Sequence, residues 1–440
     1  MNSDLIISAA WVVPVHPQGI LENYSIVIDA GKITALLPTE DALQQFSRET
    51  HLDYPQHILM PGLINAHTHA AMNLFRGYAD DLPLHTWLND HIWPAEAKWL
   101  SEAFVQDGTD LAIAEMLRGG ITAFNDMYLF PDVAARCVQQ AGMRANIGLV
   151  VIDFPTAWAK DADEYLHKGL VLADELRHDA LVNPALAPHA PYTVNDNMLK
   201  HIGVLTNELE LPLHIHLQET TQEVEDSLAK YNQRPLEFLD ELGLVSPSLQ
   251  AVHMTQTNDQ DIALLKANHS HVIHCPESNM KLASGTCPTA QLLDQGINVA
   301  LGTDGAASND DLDMFGEMRT AALLGKLSSN DASKVTAQQV LEMATINGAK
   351  ALGIDDHTGS LEVGKSADLV AVSTGTIETL PMYNPVSQLV YSCSRNDVTD
   401  VWVEGKQLLH NRKLTTLNEA DLISIAKNWQ DKIASKSTEG

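Results

Sequence analysis

Eight short apolar runs, alternating with longer stretches of helical periodicity, constrain this chain more than any other feature. They are Ile58 to Ile64, Ile121 to Asp126, Ala145 to Val151, Leu181 to Ala187, Pro212 to Leu217, Gln250 to His253, Val272 to His274 and Asn298 to Gly302. The segments between them read as helices; Glu102 to Arg118, for example, stops at Gly119-Gly120. A parallel strand is followed by a crossover of a dozen residues or more, so this alternation predicts βα units and a parallel sheet. Eight such units in one continuous stretch fit a closed (β/α)₈ TIM barrel better than two separate domains.

The two ends of the chain read differently. Leu5 to Val13, Ser25 to Asp29 and Ile33 to Leu37 look like short strands, the last two joined by Ala30-Gly31-Lys32. The same pattern returns in Gly359 to Val372 and Val398 to Gly405, before an amphipathic helix over Glu419 to Ile433. The expectation is therefore a flanking β-sandwich formed by both chain ends. Residues 1–57 supply its first part, 58–356 the barrel, and 357–440 the second part with the terminal helix.

The chain has 440 residues, with 27 Lys and Arg against 57 Asp and Glu. A net charge of −30 repels nucleic acid and anionic membrane surfaces, so a small neutral or cationic substrate fits better. No run of about 18 apolar residues suggests a membrane span. The N-terminus lacks a basic region followed by a long apolar stretch, so a cytoplasmic protein is expected. Cys137, Cys275, Cys287 and Cys393 are far apart and form no C-x-x-C pair, which argues for reduced thiols and against a cysteine-only zinc site.

The candidate chemistry lies at the ends of the apolar runs. In Asn65-Ala-His67-Thr-His69 the two histidines are two apart, and on an extended chain they share a face. The fifth run delivers His216, and the eighth leads into Asp304. In a barrel the strands' C-terminal ends form one mouth, and the first and eighth strands are neighbours. Three imidazoles and a carboxylate there suit one divalent metal ion, Zn²⁺ above all with Fe²⁺ as the alternative, and leave a position for water. Such an ion lowers the pKa of its water towards about 7, and Asp304 could accept the proton. His253, ending the sixth run, could orient the water or stabilise charge. Glu219, three residues beyond His216, could equally open a helix at the surface; its place past a strand end favours a proton shuttle.

These residues resemble the amidohydrolase superfamily over essentially the whole chain. Pro61 to Leu88, Ile92-Trp-Pro-Ala-Glu96, Ala187-Pro-His-Ala-Pro-Tyr-Thr-Val194 and His214-Ile-His-Leu-Gln-Glu-Thr220 together are similar to its 5′-methylthioadenosine/S-adenosylhomocysteine deaminase family. The resemblance implies that His67, His69, His216 and Asp304 bind the metal and that Glu219 and His253 serve catalysis. It also implies that Glu96 receives the ribose hydroxyls, a carboxylate being able to accept both hydrogen bonds of a cis-diol. It puts His189 against the purine or ribose and packs Trp87 on the nucleoside, and it leads one to expect a homo-oligomer.

One departure bears on the substrate. The resemblance implies an arginine a few residues after Gly142-Met-Arg144-Ala, reaching the 5′ substituent, but this chain reads Asn146-Ile-Gly-Leu-Val-Val-Ile-Asp153. The expected reaction is therefore hydrolytic deamination of 5′-methylthioadenosine or adenosine, ahead of S-adenosylhomocysteine. A two-metal site would want a lysine near the end of the fourth run, where the chain has Ala187-Pro-His-Ala-Pro. The alternatives are a deaminase or chlorohydrolase of another heterocycle, such as guanine, cytosine or a triazine, and an inactive scaffold. The scaffold would be expected to have lost a ligand.

Overall fold

The computed structural model describes residues 2–435, so Met1 and residues 436–440 of the two end segments lie outside it. Eight parallel strands hydrogen-bond in strict chain order. They are β5 (Leu63–Thr68), β6 (Ile121–Asp126), β7 (Arg144–Val151), β8 (Val182–Pro188), β9 (Leu213–Leu217), β10 (Leu249–His253), β11 (His271–His274) and β12 (Asn298–Leu301). Every residue of β5, β6 and β7 is buried, as expected of strands covered by side chains inside and helices outside.

Closure between β12 and β5 is made just beyond the last strand. The Asp304 N–H donates to the His67 carbonyl at 3.0 Å, and Thr303 N–H to Asn65 Oδ1 at 3.0 Å. Gly302 makes this approach possible, because a Cβ there would lie 2.8 Å from both Cβ and N of His67.

The crossover helices follow their local signals. Helix Glu102–Arg118 is capped by Ser101, whose hydroxyl accepts from the Phe104 N–H, and Gly119 and Gly120 end it. Its Phe104, Ile113, Met116 and Leu117 are fully buried within the barrel's apolar layer.

The first apolar run divides differently from the expectation. Ile58 to Pro61 end β4 (Ser47–Pro61), a strand of the flanking sheet, and the barrel begins after Gly62. A Cβ on Gly62 would run into the Thr122 side chain at 2.0 Å, so the chain breaks between sheets at a residue without one. The flanking sheet also contains β1 (Asn2–Val12), β2 (Leu21–Asp29), β3 (Lys32–Pro38), β13 (Leu369–Ser373), β14 (Val398–Val403), β15 (Lys406–His410) and β16 (Lys413–Leu414). Their order, β16-β15-β14-β13-β4-β1-β2-β3, interleaves both chain ends. Ile7, Ile26 and Ile33 from one limb share an apolar core with Leu369 and Trp402 from the other, which gives the sheet the character of a sandwich.

A buried ion pair ties the two parts together. Arg144, at the start of β7, donates to Asp368 at 2.9 Å, and both side chains are almost wholly buried. The terminal helix, Glu419–Ser435, lays Trp429 against Phe104. The four cysteines are buried free thiols. Among the described residues, no helix is long and apolar enough to cross a membrane.

Candidate active site

His67 lies within β5 and His69 one residue past it, on the same face of the extended chain. His216 is the inward residue near the end of β9, and Asp304 follows β12 after the closing glycine. One ligand atom from each of these four residues lies within 4.8 Å of the others, and among the described residues no other group of histidine, cysteine and carboxylate side chains converges in this way.

Each imidazole is turned by a bond on its far nitrogen. His69 Nδ1–H donates to the Met127 carbonyl at 2.5 Å, and His216 Nδ1–H to the His189 carbonyl at 2.8 Å. A carbonyl can only accept, so in both rings the lone pair sits on Nε2. His67 Nδ1 meets His214 Nε2 at 2.8 Å. The three Nε2 atoms then face one point: those of His67 and His216 are 3.2 Å apart, and those of His67 and His69 are each 3.3 Å from Asp304 Oδ1. Three ring nitrogens and a carboxylate oxygen held this close together are a donor set that fits a divalent cation between them.

Charge at the centre follows the same geometry. Burial lowers the His67 pKa to about 4, and it holds His216 well below the ordinary histidine value. Burial acts on His69 too, but Asp304 and the Met127 carbonyl outweigh it and lift that ring to about 9. Burial opposes ionisation of Asp304, yet its bonds to His67 and His69 hold its carboxyl well below the usual range. Ser278 Oγ donates to its Oδ2 at 2.7 Å, and the Gly305 N–H to Oδ1 at 2.8 Å.

Glu219 and His253 stand beside the centre, with Glu219 Oε2 3.8 Å from His253 Nε2. Burial pushes the Glu219 carboxyl upward, while His253 and a bond from Ser284 Oγ at 3.1 Å pull it back. His253 Nδ1–H donates to Asn279 Oδ1 at 2.9 Å, leaving Nε2 to face the carboxylate. His253 and Asp304 have φ of 74° and 61°, left-handed backbone that costs a side-chain-bearing residue of order 1–3 kcal/mol. In both, the strain aims a side chain from a strand end into the mouth.

Above the centre opens a cavity of about 610 Å³. His69, Glu219, His253 and Asp304 reach its floor, and Trp87, Glu96 and His189 line it. Trp87 is buried at the start of a π-helical turn, Trp87–Ile92, that runs into the short helix Trp93–Trp99 bearing Glu96. His189 follows β8; its Nδ1 lies 3.2 Å from Thr193 Oγ1, and burial lowers its pKa to about 3. All nine side chains singled out from the sequence thus meet at one end of the barrel.

The residues that orient them were missed. His214 shares an inward face with His216, and the two-residue spacing that selected His67 and His69 applies equally to it. Ser278 and Asn279 follow β11, the strand end left without a role, where Pro276-Glu-Ser-Asn279 offered polar groups to the mouth. The backbone carbonyls of Met127 and His189 carry no sequence signal.

The barrel and its converging histidine and aspartate side chains define the class: the chain belongs to the Amidohydrolase family, whose model matches residues 58–408. A 5-methylthioadenosine/S-adenosylhomocysteine deaminase of Saccharophagus degradans is 52% identical over 439 residues, covering 100% of this chain and 98% of its own. A 5'-deoxyadenosine deaminase of Methanosphaera stadtmanae is 41% identical over 415 residues, covering 93% and 97%. A crystal structure of an adenosine deaminase from Xanthomonas campestris with bound zinc superposes with a TM-score of 0.98 at 50% identity, covering 99% of each chain.

Proposed function

We propose that this protein hydrolytically deaminates an adenosine-type nucleoside, releasing ammonia and the inosine analogue. The observation that carries the reading is the convergence of three Nε2 atoms and Asp304 Oδ1 at the floor of a cavity that also holds Glu219, His253 and Glu96. The adenosine-directed names of its relatives support it.

His67, His69, His216 and Asp304 would hold the ion, which supplies Lewis acidity and makes water acidic enough to ionise near neutral pH. Zinc is the proposed ion, supported by the nitrogen and oxygen donors and by the zinc of the Xanthomonas structure; ferrous iron accepts the same donors. Glu219, its carboxyl raised by burial, takes one proton from the attacking water and passes it to purine N1 as C6 is attacked; it then takes up the second water proton from Asp304 and hands it to the departing amine, so that both water protons end on N1 and ammonia. Asp304 accepts the second water proton. His253, fixed by Asn279, orients the attacking water. Glu96 accepts the ribose hydroxyls, His189 contacts the nucleoside through its exposed ring edge, and Trp87 packs on the purine or sugar.

The 5′ end of the substrate is proposed to be 5′-methylthio or 5′-hydroxyl. Val150, Ile152, Phe154 and Trp93 line that cavity, and among the described residues no lysine or arginine does. The Arg144 guanidinium is committed to Asp368 at the other end of β7. A homocysteine carboxylate would lose water there without gaining a counter-charge. Self-association is carried into the proposal on the resemblance alone, and a cytoplasmic location is supported by the four free thiols.

The test is ammonia release by metal-analysed protein from 5′-methylthioadenosine, adenosine, S-adenosylhomocysteine, guanine and cytosine. The first two should lead. Turnover of guanine or cytosine ahead of both would overturn the reading.

A further inference from the structure

Three consecutive residues at the end of β6 make bonds to two different parts of the site. Asp126 Oδ1 accepts the Ala70 N–H at 2.8 Å, next to His69. The Met127 carbonyl accepts His69 Nδ1–H at 2.5 Å, while its own N–H donates to the Thr68 carbonyl at 2.9 Å. Tyr128 then donates its phenol O–H to Glu96 Oε1 at 2.7 Å. Glu96 needs such an anchor: it rides on a seven-residue helix entered through a π-helical turn. A phenol has one proton to give, and this one goes to Oε1, which leaves Oε2 and the second lone pair of Oε1 for a ligand. Both residues line the cavity, and Tyr128 is only 6% exposed, so water competes little for the bond.

We infer that Tyr128 is a positioning residue for sugar recognition: its hydroxyl holds the Glu96 carboxylate turned towards a substrate cis-diol, in fixed register with the metal-ligating His69 through the same tripeptide. The inference rests on the proposed contact of Glu96 with ribose. Tyr128 touches neither the reacting carbon nor the water, so its removal alters binding of the sugar and leaves the chemical step intact.

The experiment compares Tyr128→Phe, Glu96→Gln and the double variant with wild type on adenosine and on 2′,3′-dideoxyadenosine, which lacks the diol. Metal content and melting temperature are measured in parallel. Tyr128→Phe should raise KM for adenosine about tenfold or more, the effect of removing a hydrogen bond to a charged group, with kcat within about twofold. Kinetics on the dideoxy substrate should be unchanged within about twofold, and the double variant should be no worse than Glu96→Gln alone. Equal losses on both substrates, a fall confined to kcat, or additive losses in the double variant would overturn the inference. Should Tyr128→Phe not fold, Tyr128→His, which keeps a ring donor, must retain riboside selectivity, and its loss would overturn the inference as well. If Glu96→Gln itself treats the two substrates alike, the ribose reading of Glu96 fails; if it discriminates and Tyr128→Phe does not, the role of Tyr128 alone fails.

Discussion

Replacing His214 by leucine should strip the centre of much of its hold on metal, although His214 touches no ion. His67 is fully buried, and its Nδ1 is 2.8 Å from His214 Nε2, so once Nε2 of His67 is given to a metal its Nδ1–H has that one acceptor. Leucine fills similar space but leaves the N–H unpaired, a penalty of about 1–3 kcal/mol. At tenfold per 1.4 kcal/mol this weakens zinc binding about 10- to 100-fold, the range found when a partner orienting a ligating histidine is removed. His214→Gln offers an amide oxygen to the same N–H and should recover most of the loss. The assay is competition for zinc against a chromophoric chelator, with circular dichroism to establish that each variant is folded. A leucine variant that is folded and binds zinc within about twofold of wild type would refute the argument, and so would a glutamine variant as weak as leucine.

Glu219→Gln should retain metal and lose about 10²- to 10⁴-fold in kcat, because an amide cannot carry the proton; near-wild-type turnover at full metal occupancy would remove the shuttle role. Since Glu219 must be ionised to accept a proton and its carboxyl is raised by burial, kcat/KM should fall on the acid side at a pH above the ordinary carboxylate value. Ser284→Ala removes a donor that favours the ionised form, so it should move that limb to still higher pH; a shift downward would contradict the assignment. Glu96→Ala should lose heavily with ribosides and little with free adenine as measured by ammonia release, and equal losses would exclude its contact with the sugar.

Much of the barrel was legible because parallel strands buried on both faces must be apolar throughout, and all eight runs overlap observed barrel strands, the first only at Leu63 and Ile64. The first run was placed only in part for a local reason: Ile58 to Ile64 is continuous in composition, yet Gly62 divides it between two sheets. β4 escaped notice because Ser47 to His57 is largely polar. Much of that strand's support comes from pairing alongside β1, a partner far earlier in the chain. The histidines and aspartate of the central cluster were legible because they stand at strand ends, where side chains are aimed into the mouth. Ser278, Asn279, Tyr128 and two carbonyls were not, since each acts through a bond to a residue distant in sequence, and no spacing encodes that.

The Arg144–Asp368 contact has a consequence for how this chain can be cut. The guanidinium also donates to the Ala180 carbonyl and reaches Glu404, and Asp368 accepts the Glu404 N–H at 2.7 Å, so barrel and outer sheet share one sealed cluster of charge. Trimming the chain to the barrel would leave that cation stranded without its anion, a penalty of about 3–5 kcal/mol and thus a large share of the stability of an ordinary domain. The catalytic half is therefore not a detachable module, and swapping outer sheets between relatives would have to transplant both partners of the pair together.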